Sequence, residues 1–542
     1  MKLAIPVTVN VHADRALGEY KPIWNWFGYD EPNYTYGEDG LKLLAELAEL
    51  SPVPPRIRTH NLLTSGDGVP ALKWGSTNAY TEDARGGPVY DWTVIDKIFD
   101  AYVETGVVPF IQVGFTPEAL SADPGPYRHN FSLSDPYSTI TTGWASPPKD
   151  LRKWRDLVEA WAGHLCDRYG RKTVVGWPWE VWNEPDGHYW TGTIGGFCAL
   201  YDVTAAAIRG VLPEARIGGP HTCGAFENPK AQEFFRSFLD HCIRGTNSAG
   251  EGARTPLDFV AFHAKGRPSV HDGRVRMGIR THLKNIETNL EILREFPELA
   301  GKPVIIGESD PEGCAACSSR VYPQNAYRNG PLYGVYVVEA MVRTYELFRR
   351  FGTDIEGAVT WAFLFEGQPW FDGFRDLATN GVDKAVLNAF RMLGKLSGSW
   401  IETESSHRLS LDQILDAGVR ETPDINAVAT RDENSVTVLI WHYHDDDVPG
   451  EIAEVTLTVH GWPGPSAGLR HYRMDADHSN AFAVWKAMGS PNIVEGDDYV
   501  RLEASGKLAA LHPPSTVAAE AGTIHLNLAL RRQGVSLIQL QK

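Results

Sequence analysis

The 542-residue sequence predicts a (β/α)8 barrel joined to an accessory β-sandwich. Between about residues 20 and 400, short β-rich runs alternate with longer helical patterns, as in a parallel sheet wrapped by helices. Beyond residue 400, apolar and polar residues alternate, as in antiparallel strands with one buried face. The N-terminal run 5–11 alternates in the same way and is expected to complete the sandwich. We therefore expect a barrel over 16–400 and a sandwich formed by 1–15 and 401–542.

Eight runs that are rich in β-branched and aromatic residues predict the barrel strands. The clearest is 107–113, an almost continuous apolar run that ends before Gly114. The full set is 22–27, 57–60, 107–113, 177–182, 215–219, 259–263, 304–307 and 358–363. Apolar residues at three- and four-residue steps predict helices between them, at 150–169, 197–212 and 332–351.

The long loops and the C-terminal runs complete the expected organisation. Loops 63–87 and 116–148 follow predicted barrel strands, on the face where barrel enzymes keep their active sites. The sandwich strands are expected at 436–441, 454–459, 523–528 and 535–540. A segment of helical character at 481–511 interrupts them.

Composition narrows the function classes. The 51 basic residues against 68 acidic ones give a formal net charge of −17, which argues against a nucleic-acid or anionic membrane partner. We find neither an export signal nor a stretch of about 18 apolar residues, and expect a cytoplasmic protein whose six cysteines are reduced. Cys314 and Cys317 form a CxxC pair, but no second pair accompanies them, so a zinc site is not indicated.

Two carboxylates at predicted strand ends are the main catalytic candidates. Glu184 follows the fourth barrel strand and Glu308 follows the seventh. A charge at the end of a buried barrel strand is costly unless it has a role, and this rim is where barrel enzymes place catalytic groups. Taken singly, each is more often a capping or ion-paired residue, but the two together on opposite sides of one barrel mouth favour catalysis.

Opposed carboxylates suit the hydrolysis of a glycosidic bond. Such hydrolysis needs one acid for the leaving oxygen and one carboxylate for the anomeric carbon. Glu184, beside Asn183 and flanked by Trp179 and Trp182, is expected to have a raised pKa and to act as the acid, with Glu308 as the ionised nucleophile. A metal-carboxylate site is the weaker alternative because no His-x-x-x-His motif or acidic cluster is present. No cofactor or metal is expected.

The motif around Glu184 resembles the acid/base motif of the retaining barrel glycosidases of clan A, and most of all glycoside hydrolase family 39. That motif is WEVWNEP at 179–185. Further stretches that carry the resemblance are RTH at 58–60, GFTPEAL at 114–120, GESDP at 307–311, HSNA at 478–481 and MGSP at 488–491. The resemblance covers nearly the whole chain, including the sandwich.

The resemblance implies roles for individual residues. Glu184 matches the general acid/base, Glu308 the nucleophile and Asn183 the residue that hydrogen-bonds the sugar 2-hydroxyl. The other implied sugar-binding residues are His60, His263, Trp361 and Glu366. The implied substrate is a short β-xyloside, cleaved from its non-reducing end.

One departure from the xylosidase pattern leaves the sugar open. After His263, many xylosidases of the family have a short segment that ends in Tyr, whereas this chain has Ala-Lys-Gly. This stretch is similar to α-L-iduronidase, where the residues that match Lys265 and Arg375 hold the substrate carboxylate. We favour a xylosidase, with an arabinosidase or uronidase as the alternative. A non-catalytic carbohydrate-binding protein is the remote alternative.

Overall fold

The computed structural model describes residues 4–129, 131–134, 142–250 and 254–542. Its strands are β1 (Ile5–Glu19), β2 (Trp26–Tyr29), β3 (Arg56–Thr59), β4 (Tyr80–Glu82), β5 (Pro88–Tyr90), β6 (Val108–Val113), β7 (Trp179–Val181), β8 (Ile217–Thr222), β9 (Phe259–Lys265), β10 (Ser269–His271), β11 (Arg274–Arg276), β12 (Val304–Asp310), β13 (Ile355–Thr360), β14 (Ala378–Thr379), β15 (Val382–Asp383), β16 (Ser399–Ser405), β17 (Asp424–Arg431), β18 (Ser435–Tyr443), β19 (Ala453–His460), β20 (Ser466–Met474), β21 (Ser515–Ala518), β22 (Thr523–Leu530) and β23 (Gly534–Gln541).

The helices are α1 (Glu38–Ala48), α2 (Thr93–Thr105), α3 (Leu151–Tyr169), α4 (Arg171–Val174), α5 (Ile194–Val211), α6 (Pro229–Arg244), α7 (Ile279–Arg294), α8 (Pro331–Phe351), α9 (Ala385–Leu393), α10 (Leu411–Ala417), α11 (Ala481–Ala487) and α12 (Gly496–Gly506). Short 3-10 turns lie at Pro32–Tyr34, Glu118–Leu120, Gly143–Ala145, Pro297–Leu299 and Pro323–Asn329.

Eight parallel strands close into a barrel, which confirms the predicted fold class. Their order around the barrel is β2-β3-β6-β7-β8-β9-β12-β13, and β13 pairs with β2 to close it. Each predicted barrel strand overlaps an observed one, with bounds that differ by a few residues. The first strand begins at Trp26 rather than residue 22 because the chain turns there, with the Ile23 N–H donating to the Lys21 carbonyl.

Local signals in the sequence set the limits of the barrel helices. The Asp150 carboxylate accepts hydrogen bonds from the backbone N–H groups of Arg152 and Lys153, which fixes the start of α3. Helix α8 begins with a proline in its first turn and ends at Gly352, whose φ of 64° lies in the left-handed region. The loop after β3 contains the β4–β5 hairpin, and the loop after β6 is described except for residues 130 and 135–141.

Strand β1 and the C-terminal region together form one continuous nine-stranded sheet that folds over its own core. The strand order is β21-β20-β23-β18-β17-β16-β1-β19-β22, with β1 antiparallel to β16 and parallel to β19. Apolar residues from distant strands, such as Val438 of β18 and Leu457 of β19, share one buried cluster. The predicted sandwich is therefore present, as two halves of a single curved sheet.

Strand β18 joins this sheet to the barrel. Side chains alternate between the two faces of a strand, so Val438 and Ile440 face the core of the sheet while Leu439 and Trp441 belong to the barrel core. A buried ion pair between Arg343 of α8 and Asp424 of β17, with 2.6 Å between Nη2 and Oδ2, crosses the same interface. Apolar burial on both faces explains why 436–441 lacks strict apolar–polar alternation.

Helix α5 has the length and composition of a membrane-spanning segment, which the sequence interpretation missed. It is the one such helix among the described residues, and 56% of the 18-residue window is buried inside the protein. Helix α5 follows the fourth barrel strand and packs against α3 and α6, so its apolar character has a structural explanation in the barrel. The division of the chain at residues 15/16 and 400/401 stays a prediction.

Candidate active site

The side chain of Arg58 joins three barrel strands at the floor of the mouth. Arg58 lies on β3 and is 0% exposed. Its Nε donates to Glu180 Oε1 at 2.7 Å, Nη2 donates to Asn183 Oδ1 at 3.0 Å and Nη1 donates to Glu308 Oε1 at 3.2 Å. A buried cation requires such partners because of its desolvation penalty. The guanidinium therefore fixes the positions of Asn183 and Glu308 relative to each other.

Glu184 and Glu308 face each other across the mouth, with His263 between them. One side-chain oxygen of each glutamate and one ring nitrogen of His263 all lie within 4.8 Å of one another. His263 Nδ1 is 2.9 Å from Glu184 Oε1 and 3.8 Å from Glu308 Oε1. The structure thus brings together the two carboxylates and one of the histidines that the sequence predicts.

The surroundings drive the pKa values of the two carboxyl groups in opposite directions. Burial, followed by the charge of Glu308, raises the pKa of Glu184. Burial would also raise the pKa of Glu308, but the charges of Lys265, His263 and Arg58 outweigh it and hold that pKa below its usual range. Glu184 therefore keeps its proton to a higher pH than Glu308, which matches the division of roles that acid catalysis with a nucleophile requires.

The backbone at the end of β7 is strained. Trp182 has a φ of 71° and Glu184 a φ of 41°, in the left-handed region that residues other than glycine rarely occupy. Packing holds this turn, since the Trp182 ring lies 5.1 Å from that of Phe115 and its Nε1 donates to the Tyr189 carbonyl at 2.7 Å. The strained backbone thus lies directly after β7, at the turn that carries Glu184.

Lys265 and Arg375 lie together on the far side of Glu308, each already paired with carboxylates. The Lys265 ammonium contacts Glu308 Oε2, and its Nζ is 2.7 Å from Asp310 Oδ2. Arg375 is fully buried, with Nη1 3.0 Å from Glu312 Oε1 and Nη2 3.7 Å from Asp310 Oδ2. The two cations are therefore neighbours through Asp310, which the sequence interpretation did not single out.

His60 and Trp361 lie near Glu308 on the barrel floor. His60 Nδ1 is 2.8 Å from Asp30 Oδ1, its Nε2 is 3.8 Å from Glu308 Oε1, and its ring lies 4.3 Å from that of Trp361. Lys73, from the loop after β3, has its Nζ 2.8 Å from Asp30 Oδ2. Asp30 and Lys73 were missed because no motif marks them; a buried acid at the end of the first strand is the one available signal.

Other aromatic and acidic residues singled out in the sequence lie elsewhere. Glu366 accepts hydrogen bonds from the backbone N–H groups of Asp39 and Gly40 at the start of α1, and no described contact joins it to the carboxylate pair. Trp179 packs outward, 5.8 Å from the ring of Trp161 on α3, so it offers no face to a sugar. Periodicity placed both residues at strand ends but did not give the direction of their side chains.

The two carboxylates and His263 are also close enough together to bind one metal ion. Among the described residues, Glu184, His263 and Glu308 form a group whose possible ligand atoms all lie within 4.8 Å of one another. However, the Lys265 ammonium contacts Glu308 and the Arg58 guanidinium donates to it. Two cations on one carboxylate oppose a divalent ion there, so the donor set fits proton transfer better than metal binding.

Cys314 and Cys317 form a disulfide in the loop after β12, so the expectation that all six cysteines are reduced is wrong. The Cα atoms lie 5.5 Å apart, within the ordinary range for a disulfide. Arg328 donates to the carbonyl oxygens of Cys314 at 2.7 Å and Cys317 at 2.9 Å, which holds both residues in one turn. The other four cysteines, Cys166, Cys198, Cys223 and Cys242, are free.

Comparison with known proteins gives one family over almost the whole chain. The model of the glycosyl hydrolases family 39 matches residues 7–519. A β-xylosidase of Geobacillus stearothermophilus is 26% identical over 511 residues, which cover 90% of this chain and 86% of that protein. The α-L-iduronidase of Homo sapiens is 26% identical over 574 residues, covering 99% and 78%.

Solved structures share the fold. A bacterial orthologue of human α-L-iduronidase has a TM-score of 0.78 at 20% identity, covering 99% of this chain and 84% of that one. A monomeric β-xylosidase from Caulobacter crescentus CB15 has a TM-score of 0.75 at 23% identity, covering 98% and 99%. The match extends over both the barrel and the separate sheet, so the three proteins have the same overall architecture.

Proposed function

Because this chain belongs to the glycosyl hydrolases of family 39, and is therefore a glycosidase, we propose that it releases xylose from the non-reducing end of short β-xylosides with retention of configuration. The observation that carries the retaining mechanism is the distance within the carboxylate pair. One oxygen of Glu184 and one of Glu308 lie within 4.8 Å of each other. Retaining glycosidases have carboxyl groups about 5 to 5.5 Å apart, whereas inverting enzymes need about 6.5 to 9.5 Å.

The proposed reaction has two displacements. In the first, Glu184 donates its proton to the leaving oxygen while a Glu308 oxygen bonds to the anomeric carbon. In the second, Glu184 takes a proton from water, the water oxygen bonds to the anomeric carbon, and the bond to Glu308 breaks. The opposite pKa directions of the two groups support these roles. The steps need only proton transfer and a nucleophile, both of which the chain supplies.

The neighbours of the pair support sugar binding in a pocket. Asn183 is held by Arg58 beside Glu308, where a hydrogen bond to a 2-hydroxyl can form, and Trp361 and His60 form a wall next to it. The Glu184 and Glu308 side chains are only 19% and 6% exposed. Such burial favours a pocket that takes a terminal sugar over an open groove.

The ion pairs around Lys265 and Arg375 support a neutral sugar. Both cations already have carboxylate partners within the protein, namely Glu308, Asp310 and Glu312. A substrate carboxylate would have to displace one of these partners, and a buried carboxylate that loses its cation is costly. Xylose has no charged group and meets no such penalty.

A uronidase is the second candidate because of one specific observation. Lys265 and Arg375 lie together on Asp310, so that a small shift of either side chain would present two charged donors to a carboxylate. The alignment of 99% of this chain with human α-L-iduronidase is compatible with this function. An α-L-arabinosidase would share the neutral site and the same mechanism.

Rates on three substrates separate these candidates. We expect nitrophenol release from an aryl β-xyloside to exceed that from an aryl α-L-arabinoside, and both to exceed release from an aryl α-L-iduronide. Substitution of Lys265 by Ala would then leave the iduronide rate low. A high iduronide rate that is lost selectively in the Lys265→Ala variant would overturn the choice of xylose.

The nucleophile is tested by azide rescue. Glu308→Ala should abolish hydrolysis of the aryl β-xyloside, and azide should restore nitrophenol release with an azido sugar of inverted configuration. Glu295→Ala is a control because Glu295 pairs with Arg236 at the surface, with side chains 47% and 40% exposed. Persistence of hydrolysis in a folded Glu308→Ala enzyme would remove Glu308 from the mechanism.

A further inference from the structure

The two oxygens of Glu308 have different surroundings, because Lys265 contacts one of them, Oε2. Strands β9 and β12 pair in parallel, with Glu308 opposite His263 and Asp310 opposite Lys265. From this register the Lys265 ammonium reaches both Glu308 Oε2 and Asp310 Oδ2. Its side chain is 15% exposed, so the ammonium is largely shielded from water.

The other oxygen of Glu308 lies on the side of the acid. Glu308 Oε1 is 3.8 Å from His263 Nδ1, which is itself 2.9 Å from Glu184 Oε1. Arg58 Nη1 approaches Oε1 at 3.2 Å, a longer contact than the one Lys265 makes with Oε2. Because it lies on the side of Glu184, Oε1 is the oxygen placed to meet an anomeric carbon, while Oε2 is held by Lys265.

Asp310 is held firmly enough to position the lysine. It is fully buried, its Oδ1 accepts the Trp361 N–H at 2.9 Å, and Arg375 Nη2 lies 3.7 Å behind its Oδ2. Strand β12 therefore carries both anionic partners of Lys265, two residues apart. The contact with Asp310 thus holds the ammonium beside Glu308.

We propose that Lys265 is a catalytic residue that stabilises the Glu308 carboxylate as it departs in the second step, and that Asp310 is the positioning residue that holds Lys265 in place. This inference rests on the proposed function of the pair. It assigns Lys265 a partner within the enzyme rather than a substrate carboxylate.

The second displacement gives the physical reason. When water attacks the anomeric carbon, the electron pair of the breaking carbon–oxygen bond returns to Glu308 and the water proton passes to Glu184. The negative charge that re-forms on Glu308 is shared by Oε2, where the ammonium stabilises it. The same contact stabilises the free carboxylate before the first step, so it assists departure more than attack.

Lys265→Met tests this division between steps with 2,4-dinitrophenyl β-xyloside, whose leaving group makes the first step fast. We expect kcat and KM to fall together, roughly 10- to 100-fold, the range for loss of a hydrogen bond to a charged group. A burst of dinitrophenol, equal to the enzyme present, should then precede slow turnover. The acid limb of the kcat/KM profile should move to higher pH because Glu308 has lost its nearest cation.

Asp310→Asn should produce the same joint fall in kcat and KM, to a smaller extent, because Lys265 keeps its charge but loses its anchor. Lys284→Met is the matched control, since Lys284 pairs with Glu287 on the same helix α7 and its loss should leave every parameter unchanged. A folded Lys265→Met enzyme that shows a raised KM, no burst and an unmoved acid limb would overturn the inference. If the unsubstituted enzyme releases no dinitrophenol, the proposed function fails instead.

Discussion

Glu180 should contribute to stability as a partner of Arg58, which sets it apart from Glu184 four residues later. Its side chain is 0% exposed, and it is the acceptor for Arg58 Nε at 2.7 Å, with His221 Nε2 2.5 Å from its other oxygen. Burial would raise the pKa of Glu180, but the charges of Arg58 and His221 outweigh it and lower that pKa. The carboxylate is therefore the principal counter-charge of Arg58.

Glu180→Gln keeps the size of the side chain and removes that charge. Arg58 would then stay fully buried with Glu308 as its remaining anionic partner, at the longer distance of 3.2 Å. Removal of one partner from a buried ion pair typically costs about 3 to 5 kcal/mol, because the other charge is left without compensation. We expect the free energy of unfolding to fall by about that amount.

Urea unfolding followed by tryptophan fluorescence measures the loss. Glu295→Gln is the matched control, because it removes the same charge from a surface pair with Arg236, whose contribution should be about 0 to 1 kcal/mol. If the two variants lose the same stability, Arg58 does not depend on Glu180 and the account of the barrel floor is wrong.

Three further outcomes follow from the structure. Glu184→Gln should lower kcat/KM by about 10²- to 10⁴-fold for aryl glycosides with poor leaving groups, far less for a dinitrophenyl glycoside, and should remove the basic limb of the pH profile. Burial raises the pKa of Asp445 to about 7, so the folded protein holds a proton that the unfolded chain releases, and stability should fall as pH rises from about 4 to 7. Asp445→Asn should abolish that decline in urea midpoints measured across this range. Gly28→Ala should lower stability by about 1 to 3 kcal/mol, because the new Cβ would lie 2.4 Å from the Trp361 ring. We expect kcat to fall as well, since Trp361 would have to move. In the control Gly163→Ala, the new Cβ on helix α3 meets nothing within 4 Å, so stability should be unchanged or higher.

The sequence predicts the fold well because hydrophobic periodicity carries most of the information. Buried parallel strands form continuous apolar runs, as at Val108–Val113, and helices show apolar residues at three- and four-residue steps, as in Leu151–Tyr169. Strand ends are less accurate, since they depend on turns such as the one before Trp26. The single curved sheet could not be distinguished from two packed sheets, because both have the same alternation.

The candidate site was only partly predictable. Glu184 and Glu308 were identifiable because a carboxylate at the end of a barrel strand is unusual, and a motif surrounds each. Contacts made by Asp30, Lys73 and Asp310 depend on which strands are neighbours in the closed barrel, which no local pattern encodes. The direction of a side chain is equally non-local, as Glu366 illustrates by its position at the start of α1.

The placement of β1 between β16 and β19 has a consequence for biosynthesis. Val9 pairs with Ser405, and Val7 with Val455, so the first strand finds its partners only after some 400 further residues have been made. At translation rates of about 5 to 20 residues per second, that interval is roughly 20 to 80 s. During this time the barrel can form on the ribosome, while β1, a strand with one apolar face, still has both of its edges unpaired. Chaperones that bind extended apolar segments could therefore bind β1 throughout this interval, because the sheet can close only after β16 and β19 have been made.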